Sequence, residues 1–381
     1  MKSARCFFLF SALILFSVFT LSAVERPAFF QGVRQLGMGG AGIALSDDPT
    51  VFFYNPSLIA IRKDLLFNIF SLRASVSSDV LDTMDFMDKN QDDLENFDSL
   101  TSERQEALMD EIVTTVTKNK NHFTFTTPDF CIVPKAGRVN LGLGLFTGVD
   151  FGVRIKKGIL VPKVDFFGNA DAVFMFPIAM KIPTPLPGQI AAALSPKYIY
   201  RASLNDELTV LEFDNYDVDL QPGKGIGFDL SFIWEMTERL RVGGIFNDIT
   251  RTKISYDEVS DDGAVKKAAY SDRIKPDLAL GLYYKVPYLR FINVVADARR
   301  LLDKSEPFRI DTLPKKLHLG GEVNFKVITF RGGFYQGYPS FGLGLDLWIL
   351  ELDYAFWGRE TGFYAGQIPE YNHMVSLALR F

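Results

Sequence analysis

The chain has 381 residues with 41 basic and 46 acidic side chains, a formal charge of −5, and is 48% hydrophobic and 14% aromatic, with 35 Phe, 14 Tyr and 30 Gly. This mildly acidic balance offers no footprint for nucleic acid, and beyond the amino terminus no run of about 18 apolar residues is free of charge, which excludes helical membrane spans. So much apolar and aromatic side chain without apolar runs has to be distributed by alternation.

Residues 1–23, MKSARCFFLFSALILFSVFTLSA, place Lys2 and Arg5 before an apolar run from Cys6 to Leu21, then Leu21-Ser22-Ala23 as a small-residue cleavage site, and so predict a secretory signal peptide. Val24, not cysteine, follows the cut, so no lipid-anchored cysteine is expected. Processing leaves Cys131 as the sole cysteine, with no internal disulfide.

Residues 24–63 contain LGMGGAGIALSDDPTVFFYNPSLIA, in which Gly37, Gly39 and Gly42 have the spacing G-x-G-x-x-G, with Asp64 downstream. That spacing holds a pyrophosphate only between a delivering strand and a helix start. Glu25 to Gln35 has no strand-like apolar run, and Asp47, Asp48 and Pro49 interrupt any helix that follows. A nucleotide site is therefore not expected. The segment is glycine-rich and compact, with Phe29, Phe30, Phe52, Phe53 and Tyr54, which a disordered tail would not need. Glycines allow close approach and turns with positive φ, while Asp47-Asp48-Pro49 and Asn55-Pro56 read as turn formers. These features predict a lumenal plug.

Residues 64–381 alternate. In FGLGLDLWI, Phe341, Leu343, Leu345, Leu347 and Ile349 share one face, and Gly342, Gly344, Asp346 and Trp348 the other. LELDYAF repeats the pattern over 350–356, as do Val139–Val149, Ile226–Met236, Leu317–Phe325 and Tyr371–Phe381. A soluble sandwich also alternates, but its non-core face is rich in Lys, Glu and Thr, whereas this one carries glycines with isolated charges and suits a confined lumen. Short turns at Lys135–Arg138, Thr237–Leu240 and Ile349-Leu350 alternate with longer polar connections at Asn205–Pro222, Tyr256–Asp272 and Leu302–Pro314. Strands of about 9–12 residues, short turns at one end and long loops at the other predict an all-β fold, a transmembrane antiparallel β-barrel of about 14 strands with an amino-terminal lumenal hatch and a helical first outer loop.

That loop spans 79–121. Between Asp79 and Glu111 it holds twelve acidic residues against Lys89 and Arg104. Ser102 and Gln105 suggest a capping box, and Leu108, Met109, Ile112, Val113 and Val116 follow at helical spacing. One or two amphipathic helices are predicted on the outer side, either as a solvated cap on the rim or as a ligand-docking lid.

The glycine-rich stretch resembles the amino-terminal hatch of FadL-type long-chain fatty acid transporters and their PorV/TraF-like relatives, in Gly37, Gly39, Gly40, Gly42, Asp47, Asp48, Asn55 and Pro56. Ser57 stands where those proteins usually carry alanine. KKLHLGGEVNF, FRGGFYQGYPSFGLGLDLWILELDYAF and YNHMVSLALRF resemble the same relatives. The resemblance implies outer-membrane passage of hydrophobic molecules, long-chain fatty acids among them, in contact with outer-membrane lipid. The alternative it leaves open is a non-transporting, PorV-like barrel that partners a surface or secreted protein.

His122, His318 and His373 are scattered, none at metal-ligand spacing, and no G-x-S-x-G elbow is present. No cofactor, metal or catalysis is therefore expected, although His318 falls on the polar face with Glu322 and Asn324. Lumen-facing Gly142, Gly144, Gly225, Gly227, Gly342 and Gly344 are expected to leave room in the bore. Arg331, or Lys156 and Lys157 in an outer loop, are candidates to receive a ligand carboxylate. The alternative for Arg331 is pairing with neighbouring carboxylates.

Overall fold

The computed structural model describes residues 30–45, 50–62, 66–116, 121–126, 129–133, 138–156, 163–209, 218–261, 264–289, 291–304 and 308–380. The predicted signal peptide, Asp47, Asp48, Lys157 and the turn residues Lys135–Gly137 lie outside them.

Fourteen antiparallel passes close into a ring. The first is β1 (Leu66–Ser77). The second comprises β2 (Asn121–Thr126) and β3 (Phe130–Val133), the third β4 (Val139–Leu141) and β5 (Leu143–Lys156), and the fourth β6 (Lys163–Met175) and β7 (Ile178–Ile182). β8 (Gln189–Thr209) and β9 (Gln221–Thr237) are unbroken. The seventh pass joins β10 (Leu240–Asn247) to β11 (Lys253–Tyr256); a small hairpin, β12 (Val259–Asp261) and β13 (Ala264–Lys267), follows; and the eighth joins β14 (Tyr270–Arg273) to β15 (Asp277–Lys285). β16 (Ile292–Ala298), β17 (Leu317–Asn324), β18 (Ile328–Tyr335), β19 (Tyr338–Leu347), β20 (Leu350–Glu360) and β21 (Pro369–Arg380) complete the ring. β21 pairs with β1 from Asn68↔Arg380 to Ser77↔Asn372, so no edge is left open.

Alternation sets the two faces. Phe330, Phe341, Leu343, Leu347, Ile226 and Leu230 stand exposed on the outside of the wall, while Arg331, Asp353, Ala355 and Asp229 are buried on the inside. A continuous band of exposed apolar side chains on a closed barrel is the surface that faces lipid. Trp348 departs from the sequence reading. β19 ends at Leu347, and Trp348 sits in the turn to β20 with φ of 76°, 97% exposed.

Among the described connections, tight turns join β9 to β10, β17 to β18 and β19 to β20 at one end. The opposite end carries the long connections, with Gln336-Gly337 as a tight exception. Long loops mark the outer end of such barrels. There, α4 (Ser78–Lys89), α5 (Gln91–Glu95) and α6 (Ser102–Val116) follow β1. The predicted capping box is displaced by one residue: Thr101, not Ser102, caps α6, its Oγ1 accepting from Arg104 N–H at 3.3 Å, while Gln105 Nε2 donates to Phe97 O at 2.7 Å.

The amino-terminal segment contributes three short helices, α1 (Val33–Gly37), α2 (Val51–Tyr54) and α3 (Leu58–Ile61), which are nearly all buried. Their partners are the inward side chains of the wall. A last helical turn, α7 (Leu313–Lys316), leads into β17.

Candidate functional site

The two sides of the interior hold the amino-terminal segment by different balances of force. Against β16–β20, beside the packing of Val33 and Leu36 on Ala355 and Trp357, the contact is rich in buried polar groups. Arg34 of α1 reaches Glu322 of β17 through two nitrogens, Nε at 3.0 Å, and Glu322 also receives Asn293 Nδ2 at 2.9 Å and Arg331 Nε at 3.5 Å. Arg331 NH1 in turn meets Asp353. Arg331 is thus 8% exposed and held by two carboxylates, the pairing alternative for this residue. The Lys156 side chain and all of Lys157 lie outside the described residues.

The glycine motif is explained on this side. Gly37 approaches Gly342 of β19 so closely that a Cβ at Gly37 would stand 2.9 Å from the Gly342 Cα. Gly39 and Gly40 have φ of 70° and 79°, a region that costs other residues steric strain. A Cβ at Gly39 would also fall 2.4 Å from Leu319 O. The freed N–H groups do bind an anion, but it is the protein's own: Gly42 N–H donates to Asp297 Oδ2 at 2.9 Å and Ile43 N–H to the same oxygen at 3.3 Å. Arg299 bridges Asp297, at 3.1 Å, and Gly40 O, at 2.6 Å. His318 Nδ1 contacts Gly39 O at 2.7 Å, its ring edge-on to Tyr335; no nucleophile is bonded to it among the described residues.

Asn55 ties the segment to β9. Its Nδ2 donates to Ile43 O at 3.0 Å and Phe232 O at 3.1 Å, and its Oδ1 accepts from Ser57 N–H and Oγ. The Ser57 hydroxyl therefore adds a hydrogen bond of its own, and the Ser57 N–H also reaches Ser231 Oγ at 3.1 Å.

Against β3–β9 the rest of the contact is apolar. Phe30, Phe52, Leu58 and Ile59 of the segment pack with Cys131, Phe146, Val173, Met175, Ala191, Ala193 and Ile233 of the wall in one buried cluster. Phe30 and Phe53 stack with centroids 4.5 Å apart, and Phe146 meets Phe30 edge-on at 5.5 Å. The Arg73 guanidinium lies 4.1 Å above the Phe30 ring and 3.3 Å from Asp129, so it too is paired. Burial pushes the Tyr54 hydroxyl above its ordinary pKa; it accepts from Gly32 N–H at 3.0 Å.

Room in the bore is a corrected expectation. The space above Gly142 and Gly144 is taken by the Phe52 ring, that at Gly342 by Gly37, and that at Gly344 by Arg331 and Asp353; Ile254 fills the space beside Gly225, and Thr252 and Lys197 that beside Gly227. A small cavity of about 20 Å³, room for a water or so, remains beside α1, lined by Arg34, Gln35, Asn68, Ser71, Arg73 and Asp129, among others.

At the outer end, Leu108 and Ile112 of α6 pack on Val153, Val164, Phe166 and Leu204 at the tops of β5, β6 and β8. This apolar cluster stands on the same staves as the lower one. The buried Arg201–Asp171 ion pair, 2.6 Å, lies between them.

No family model matches the chain, and no curated protein sequence does. Solved structures do match. The toluene transporter TbuX of Ralstonia pickettii is 14% identical, with a TM-score of 0.51 over 93% of this chain and 99% of that one. The CymD monoaromatic hydrocarbon channel is 12% identical, with a TM-score of 0.51 over 93% and 98%. A FadL homologue of Pseudomonas aeruginosa is 10% identical, with a TM-score of 0.50 over 92% and 98%. The chain has the fold of the FadL-type outer-membrane barrels.

Proposed function

We propose that this protein is an outer-membrane transporter that lets hydrophobic molecules pass inward without catalysis or energy coupling at the barrel, and that residues 24–63 act as its hatch. The carrying observation is the apolar patch that Phe146, Val173, Met175, Ala191, Ala193 and Ile233 form on the inner face of β5–β9, where a water-filled pore would be polar. An apolar molecule entering between β3–β8 and the segment replaces one apolar contact by another and leaves the Asn55 and Ser57 hydrogen bonds to β9 in place. The outer cluster under α6 supplies a greasy landing site above it. The similar structures, named as a toluene transporter and a monoaromatic hydrocarbon channel, support the reading.

Uncharged molecules suit this interior better than fatty acids. Arg34, Arg73, Arg201, Arg299 and Arg331 each face a carboxylate already, so a fatty acid headgroup would have to displace one. The test is uptake by intact outer-membrane-bearing cells expressing the protein, with radiolabelled toluene, oleate and a small sugar. Toluene uptake should rise most, and sugar uptake should not change. A rise in all three would make the barrel an open pore. No rise in either apolar molecule, with a protein partner retained through purification, would favour the interaction-barrel alternative.

A further inference from the structure

Phe52 occupies a place in the wall that glycine alone makes. A Cβ built at Gly144 would stand 2.2 Å from Phe52 Cε1, and one at Gly142 2.6 Å from Phe52 Cε2. Two inward positions, one residue apart on the third pass, are thus kept bare over the width of one aromatic ring. Pro177, whose Cγ would lie 3.0 Å from a Cβ at Gly142, closes one end of the slot, and Phe53 meets Phe52 edge-on at 5.1 Å. Phe52 itself is wholly buried, yet its helix has four residues and no side-chain cap. The ring is held by the slot, and the helix adds little of its own.

We propose that the slot over Gly142 and Gly144 is a binding seat for one flat hydrocarbon ring, occupied by Phe52 in the closed protein and taken by a ring-bearing ligand when Phe52 swings out. The inference rests on the transport reading above and narrows its substrate class to ring-bearing hydrocarbons. A seat bounded by two glycine backbones and a proline is flat, so it matches a ring better than a coiled alkyl chain. A ligand ring in the slot regains the apolar contacts that Phe52 gives up, so occupancy turns on how well the ligand fits the slot set against the burial that Phe52 loses on leaving it. A dry apolar cavity of ring size binds benzene-like molecules without other help.

Phe52→Ala empties the seat. In lipid nanodiscs, with empty nanodiscs as the baseline, the protein is titrated with 4-fluorotoluene and with 1-fluorohexane and read by fluorine NMR. Phe52→Ala should bind 4-fluorotoluene about ten-fold more tightly than the unaltered protein and prefer it to 1-fluorohexane, and adding Gly144→Val should abolish the gain by filling the slot. Equal affinity in Phe52→Ala and Phe52→Ala/Gly144→Val, both migrating as folded barrels, overturns the seat, as does equal affinity for the ring and the chain. Should Phe52→Ala not insert, Phe52→Leu with and without Gly144→Val must show the same order. Toluene uptake by cells expressing the unaltered protein is read separately: its loss defeats transport, whereas its presence with indifferent variants defeats the seat alone.

Discussion

Glu322 serves two arginines, Arg34 from the amino-terminal segment and Arg331 from the wall, and that makes it the most consequential charge on the polar side. Replacing it by leucine takes one carboxylate away from Arg34 and one from Arg331. Loss of one member of a buried ion pair costs about 3–5 kcal/mol, so Glu322→Leu should lower the temperature at which heat-modifiable gel migration is lost by more than Arg34→Met does, because in the latter Glu322 keeps Arg331 and Asn293. The reverse order would mean that Arg34 binds elsewhere. Gly39→Ala tests the glycine motif: a side chain at φ of 70° facing Leu319 O should strain the segment by about 1–3 kcal/mol. Trypsin should then cut at Arg34, now buried, faster than in the unaltered protein. The spacing of these glycines and their use for close approach and positive φ are legible in the sequence; their partners were not, because Gly342, Leu319 and Asp297 lie more than 250 positions away and become neighbours only when the ring closes.

At the scale of elements, the strands were legible because lipid on one face and a confined interior on the other impose a strict period of two. The breaks in them were not. Between β10 and β11 the chain leaves the ladder at Asp248–Thr252, where Asp248 has φ of 52° and binds Thr252 Oγ1 at 2.6 Å and Lys197 at 3.0 Å. No periodic signal marks such a bulge, since it depends on a lysine from another strand. The outer helices were legible from their apolar spacing, and what they cover was not. Leu108 is fully buried on the tops of β5, β6 and β8, with Met109 exposed beside it. Leu108→Ala should cost about 2–5 kcal/mol of local stability, speed proteolysis within 90–100, and reduce toluene uptake; unchanged uptake with a loosened helix would make this cluster a rim contact and no landing site. Deletion of residues 24–63 should leave an inserted barrel with raised leakage of small polar solutes, because the ring closes through β1 and β21 without that segment. A deletion that prevents insertion would make the segment part of the folding core.

Taken as a whole, the interior is mechanically lopsided. On the β16–β20 side the segment is fastened by the Arg34–Glu322 pair, the Asp297–Gly42 and Arg299–Gly40 hydrogen bonds and the contact of Gly39 with Ser340 Oγ at 2.8 Å; on the β3–β8 side it is held by apolar packing, with the Asn55 and Ser57 hydrogen bonds to β9 at its edge. A polar solute opening the first side has to break several buried hydrogen bonds, each leaving an unsatisfied group, while an apolar molecule opening the second replaces what it removes. Selectivity should therefore follow apolar area and should be blunted by charge. Across toluene, ethylbenzene and propylbenzene, each added methylene removed from water contributes about 0.8 kcal/mol, so the concentration giving half-maximal uptake should fall about four-fold per step until the ligand outgrows the space beside Phe52. Benzoate, which matches toluene in shape and carries a charge, should enter poorly, since its carboxylate would compete with Asp129 and Asp353 for arginines that they already hold. Benzoate uptake equal to that of toluene would show that the polar half, and not the apolar one, carries the flux.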